Sequence, residues 1–123
     1  MLADYDAIWS RFAPEARQAV LERWGDPTTD PTLDGNRFPL SAKRYGNVTV
    51  ILQPSRGYDR DPSLNYHAPD LAPTHAYLAH YIWIQRHFDA HAVIHLGKHG
   101  NLEWLPVMGM GQSPACFPQL CLW

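Results

Sequence analysis

Eleven prolines and eight glycines interrupt a chain of 123 residues so often that regular structure has few places to form. Proline removes an amide donor and fixes φ, while glycine loosens the backbone, so each cluster of them marks a loop or an element boundary. The runs DPTTDPTLDGNRFPL (26–40) and QPSRGYDRDPSLNYHAPDLAP (53–73) are such clusters, and both read as long ordered loops. Ordered loops are where binding and catalytic side chains usually sit.

The remaining stretches carry periodicity. In residues 1–25, Ile8, Phe12, Ala16, Ala19, Val20 and Trp24 recur at steps of three and four, which predicts a helical scaffold interrupted at Pro14 and closed by Gly25. The β-branched run NVTVILQ (47–53), bounded by Gly46 and Pro54, predicts a buried strand. Pro73 at a first-turn position then opens the strongest helix, from Thr74 to about Phe88. Tyr77, Tyr81, Ile84 and Phe88 form its stripe, Leu78 and Ile82 widen it, and His80 and His87 fall away from it. AVIHL (92–96) predicts a second strand, followed at once by the turn GKHGNLEWLP.

Strand, helix, strand in that order predicts a right-handed crossover with parallel strands. The expected fold class is therefore α/β: one partial domain over 1–123, with a helical segment (1–25), long Pro/Gly-rich loops and a partial β-α-β unit within 45–106. In a parallel sheet the loops leaving the strand carboxyl ends open on one edge, so QPSRGY and GKHGNLEW are expected to share a crevice.

Composition narrows the function classes. A 46% hydrophobic content with five Trp, six Tyr and four Phe is enough for a modest core. A net charge of -2 gives no general attraction to nucleic acid or anionic lipid. No apolar run approaches the ~20 residues of a membrane span, and the N-terminus lacks a secretory pattern, so the default expectation is a cytoplasmic protein. Cys116 and Cys121 read as free thiols, because no second pair accompanies them.

All seven histidines fall between His67 and His99, a crowding of near-neutral bases that suits metal or proton-transfer chemistry. His95, His99 and Glu103 are spaced by four, which on a continuous helix would make a two-histidine, one-carboxylate metal face. Gly97 and Gly100 argue against that helix. The alternative puts His95 at a strand end, Lys98 and His99 on a glycine-flanked turn, and Glu103 on a short helical turn capped by Asn101. A purely structural role also fits this loop, with Asn101 capping and Glu103 favouring a helical start. In the first loop, Arg56 is a fixed cation suited to bidentate pairing with a carboxylate. His67 and Asp70 lie further along, and His75 sits near a helix N-terminus that would keep it neutral as base or ligand. Loop packing and turn formation are the plainer roles for His67 and Asp70.

Taken together, the blocks QPSRGY, YHAPDLAPTHAYLA and HAVIHLGKHGNLEWLP resemble the family of cobaltochelatase large subunits (CobN) and magnesium chelatase H subunits, over about Tyr45 to Leu105. Several blocks match in order, which is far more specific than one short motif, and YHAPDLAPTH with GKHGNLEW is more similar to the cobalt branch. The resemblance implies a subunit that holds a tetrapyrrole, hydrogenobyrinic acid diamide in the cobalt branch. Separate AAA+ ATPase subunits would use ATP to drive Co²⁺ insertion, or Mg²⁺ insertion in the other branch. It also implies that Glu103 matches the glutamate required for chelation. The chain has no GxxxxGK[ST] motif, in keeping with ATP being bound elsewhere.

On this reading Glu103, His99 and His95 are the catalytic candidates and also transient ligands of the incoming cation. Arg56, Lys98, His67 and His75 are the substrate-binding candidates. Family members are many times longer, and Val107 and Met108 follow Pro106 where the family usually continues with Gly and Lys. The ending QLCLW therefore reads as a truncation or frame change, and an inactive fragment or a small histidine-rich metal-binding module are the competing expectations.

Overall fold

Pro14 divides the N-terminal periodicity into two helices. In a computed structural model, which describes residues 1–57, 59–61 and 71–97, α1 spans Leu2–Trp9 and α2 spans Pro14–Trp24. Pro14 occupies the first turn of α2, where its missing amide costs nothing, and Gly25 ends the helix at φ 78, a conformation that favours glycine. A short 3₁₀ turn, Pro27–Thr29, follows, its Asp26 cap accepting from the Thr28 amide at 2.9 Å.

The sheet is antiparallel. β1 (Ala42–Tyr45) and β2 (Val48–Ile51) pair in the register Ala42 to Ile51 through Tyr45 to Val48. Gly46 at φ 63 takes the first central position of the two-residue connection, which is the type II′ hairpin geometry. This corrects the expected parallel β-α-β unit. Part of the NVTVILQ run does form a strand, but its partner is the preceding segment, because closing a two-residue loop costs far less entropy than a long crossover. Residues 92–96 join no strand among the described residues, and Val93, Ile94 and Leu96 are 47%, 82% and 93% exposed.

α3 spans His75–Arg86, one residue inside the expected start, with Thr74 as its cap accepting from the Tyr77 amide at 3.2 Å. It is the centre of the molecule. Tyr77, Leu78, Tyr81, Ile82 and Ile84 are buried, and so are His75 and His80, so the helix is covered on nearly every side rather than along one stripe. Tyr5, Trp9 and Phe12, contributed by α1 and the turn after it, and Ala16 and Val20 of α2 complete the core around it. Each such fully buried apolar side chain contributes roughly 1.5–3 kcal/mol, which is why two otherwise marginal short helices stay in place.

Candidate functional site

Both chemistry-bearing segments meet α3. The first, residues 53–57, lies along its N-terminal half: Gln53 Nε2 donates to the Tyr77 hydroxyl at 3.1 Å and the Tyr81 hydroxyl at 2.7 Å. Thr74 Oγ1 donates to the Ser55 carbonyl at 3.2 Å, and the Arg56 Nη2 donates to the Leu71 carbonyl at 3.1 Å. The second segment, 92–97, is exposed and carries His95. Its imidazole is near enough to α3 for its charge to act on His80. The stretch 77–81 is thus hydrogen-bonded by Gln53 of the QPSRG segment and influenced electrostatically by His95 of the segment leading into GKHG.

His80 is the residue that periodicity misses. It is 5% exposed, its ring meets Tyr81 edge-on at 5.0 Å, and its Nδ1 is buried with no hydrogen-bond partner among the described residues. Burial, and secondarily the His95 charge, push its pKa from 6.5 down to about 4, so the ring is neutral at physiological pH.

Two predicted substrate-binding residues turn out to be engaged within the chain. His75 is 0% exposed. Its Nε2 lies 2.8 Å from the Gly25 carbonyl, which can only accept, so Nε2 carries the proton and Nδ1 accepts from the Tyr5 hydroxyl at 2.7 Å. Burial lowers its pKa against the opposing pull of the Gly25 carbonyl and of Asp30 and Asp26. With both nitrogens used internally, the ring ties α1, the end of α2 and α3 together and leaves no lone pair for a ligand in this arrangement. Arg56 is 1% exposed and likewise faces inward, stapling 53–57 to the segment before α3 rather than meeting a substrate carboxylate in this arrangement.

The same loop is anchored twice more. Arg23 Nη2 pairs with Asp61 at 2.6 Å, and Arg60 Nη2 pairs at 3.2 Å with Asp30, which is 3% exposed. Burial raises the Asp30 pKa, but hydrogen bonds from Thr32 and the Arg60 charge outweigh it and hold the carboxyl below its usual range. Gly57 seats its backbone against the Trp24 ring at φ 121.

Lys98, His99, Glu103, His67 and Asp70 lie outside the described residues, as does the expected crevice between Arg56 and Glu103. Among the described residues, no group of three or more His, Cys, Asp or Glu gathers to hold a metal ion. No helix among them is long and apolar enough to cross a membrane. A cleft between α1 and α3, lined by Tyr5, Phe38, Ala79, Ile82 and Trp83, contains none of the predicted site residues.

Comparison with known proteins supplies the context for these residues. The family model described as CobN/Magnesium Chelatase matches residues 1–123. The aerobic cobaltochelatase subunit CobN of Pseudomonas aeruginosa is 49% identical over 121 residues, covering 98% of this chain and 10% of the relative. The chloroplastic magnesium-chelatase subunit ChlH of Oryza sativa is 38% identical over 97 residues, covering 79% of this chain and 7% of the relative. The solved catalytic subunit of cobaltochelatase from Mycobacterium tuberculosis superposes with a TM-score of 0.87 at 38% identity, covering 99% of this chain and 11% of that one. The chain thus spans about a tenth of the length of the cobaltochelatase relatives it matches. Its sequence and fold place it in the CobN/magnesium chelatase family.

Proposed function

We propose that this chain serves as the part of a cobaltochelatase large subunit that presents the GKHGNLEW acid and imidazoles to a bound tetrapyrrole. The substrate is hydrogenobyrinic acid a,c-diamide on the way to cobalamin, Co²⁺ is the metal inserted, and the setting is cytoplasmic. ATP is hydrolysed by separate AAA+ subunits. The observation that carries this reading is the 49% identity to a cobaltochelatase subunit over 98% of the chain, against 38% over 79% for the magnesium-chelatase relative.

The chemistry suits the residues. Metal insertion strips water from a hydrated cation and removes the proton on the inner nitrogens of the corrin ring as the metal takes its place. Glu103 is the proton acceptor or guide for the cation, and His95 and His99 act as transient ligands or relay. Lys98 and His67 pair with peripheral carboxylates of the ring. A closed, permanent site would hold the metal instead of handing it on.

The experiment replaces the matching 121 residues of the Pseudomonas aeruginosa relative with this chain and supplies the ATPase subunits, ATP, Co²⁺ and the tetrapyrrole. The chimera should insert Co²⁺, read from the absorbance change. Glu103→Gln should slow insertion by at least about 100-fold while tetrapyrrole binding, read by fluorescence quenching, is retained. Insertion at the parent rate would remove Glu103 from catalysis. Insertion of Mg²⁺ in preference to Co²⁺ would favour the H-type subunit, and stoichiometric Co²⁺ binding by the isolated chain without tetrapyrrole would favour a metal-binding module.

A further inference from the structure

The hairpin is apolar on the wrong side for a sheet with one face in water. In β2 and the residue after it, Val48, Val50 and Leu52 point outward and are 56%, 60% and 72% exposed, while Thr49 and Ile51 on the opposite face are half-buried. An antiparallel sheet with one wet face alternates apolar inside and polar outside, whereas apolar residues on both faces mark a sheet covered on both. Residues 92–96 are exposed throughout, with Val93, Ile94 and Leu96 at 47%, 82% and 93%, and have no helix or strand of their own. Large apolar surfaces of this kind mark interaction sites.

What covers such surfaces is indicated by scale. The same arrangement recurs at a TM-score of 0.87 within a solved cobaltochelatase chain of which it spans 11%. The polypeptide available there to lie over these faces is therefore many times larger than the piece itself. Resting on the family reading above, we propose that the outer face of the hairpin and the exposed apolar side chains of 92–96 are each docking surfaces for an apolar, strand-forming part of a chelatase large subunit outside the matched tenth. Covered in this way, 92–96 gains the strand partner that its composition calls for, and His95 is held by a sheet instead of projecting on exposed chain.

The test makes the same substitutions in two settings. Val50→Glu lies opposite Lys43 in the register and gains a cross-strand ion pair when the face is wet; Ile94→Glu places a charge at a residue that is 82% exposed. In the chimera described above, each substitution should speed limited proteolysis at least about tenfold, because desolvating a charge against an apolar partner opens the covered region. In the isolated chain each should leave the melting temperature and the oligomeric state unchanged. A chimera indifferent to either substitution overturns the proposal for that surface. A lowered melting temperature in the isolated chain would show that the chain covers the face itself. Conversion of an isolated dimer to a monomer would show that a second copy does, and either result overturns the proposal. Should the chimera not accumulate in soluble form, the substitutions at the aligned positions of the Pseudomonas aeruginosa relative decide the matter. Proteolysis reads docking and metal insertion reads function, so either can fail alone.

Discussion

Tyr5 and His75, separated by 70 positions in the sequence, are joined by a 2.7 Å hydrogen bond in the interior. The hydroxyl donates to Nδ1 because Nε2 is committed to the Gly25 carbonyl, and the rings of Tyr5 and Trp9 both pack edge-on against the imidazole. Tyr5→Phe keeps the ring packing and orphans a buried acceptor, at a cost of about 1–3 kcal/mol. Urea unfolding should show a lower midpoint with an unchanged slope; an unchanged midpoint would mean the bond contributes nothing.

At Gly57 the backbone and the Trp24 ring are in contact. A Cβ there would lie 2.2 Å from Cζ2 of Trp24, at φ 121, where side chains are strained in any case. Gly57→Ala should therefore destabilise by more than about 3 kcal/mol, combining overpacking with backbone strain. Shrinking Trp24 to Leu in the same chain should recover only the steric part, which thermal melts of the single and double variants would separate.

Stability should fall as the pH is lowered from neutrality, because of a buried histidine. His80 has its pKa depressed from 6.5 to about 4. The folded state thus binds fewer protons than the unfolded one between those values. The contribution is fully present above 6.5 and is lost as pH falls toward 4, amounting to on the order of 3 kcal/mol. His75, also depressed, acts in the same direction. His80→Phe should flatten the decline and be no less stable near neutrality, since it removes a buried nitrogen with no partner among the described residues. An unaltered pH profile would assign the decline elsewhere.

Arg56 separates a structural from a substrate-binding role. Its side chain is 1% exposed and bonded to the Leu71 carbonyl, so Arg56→Ala should cost about 2–4 kcal/mol by leaving a void and an unpaired carbonyl. In the full-length chimera, tetrapyrrole affinity should then fall only in step with the folded fraction. Loss of affinity with an unchanged melting temperature would restore Arg56 to the ring-binding set.

Local signals carried much of the architecture. The break at Pro14, the stop at Gly25 and the start of α3 all follow from residues whose backbone preferences act within one turn. β1 is hard to see because Ala42–Tyr45 is exposed at every position and so has no apolar alternation, and its one sequence mark is the Gly46-Asn47 turn beside a β-branched run. His80 is missed because a stripe argument assumes one buried face, whereas α3 is enclosed on nearly all sides. The internal engagement of Arg56 and His75 is invisible in sequence for a different reason: charge and proximity in sequence indicate what a side chain can bind, but not whether the chain itself takes up its hydrogen bonds. The second strand at 92–96 has strand composition without a described partner, because pairing is a property of two segments and sequence shows one.

Trp24 sits where three parts of the chain come together. Its indole nitrogen donates to the Ala72 carbonyl at 2.7 Å, its ring lies beneath Gly57, and the guanidinium groups of Arg23 and Arg60 stand 5.0 and 5.5 Å from the ring centre. An indole flanked by two cations and hydrogen-bonded at its nitrogen has an emission colour and intensity set by those neighbours. With the other four tryptophans replaced by Phe, its fluorescence becomes an optical gauge of whether the 53–61 loop is latched to α2 and to the approach to α3, with no label attached.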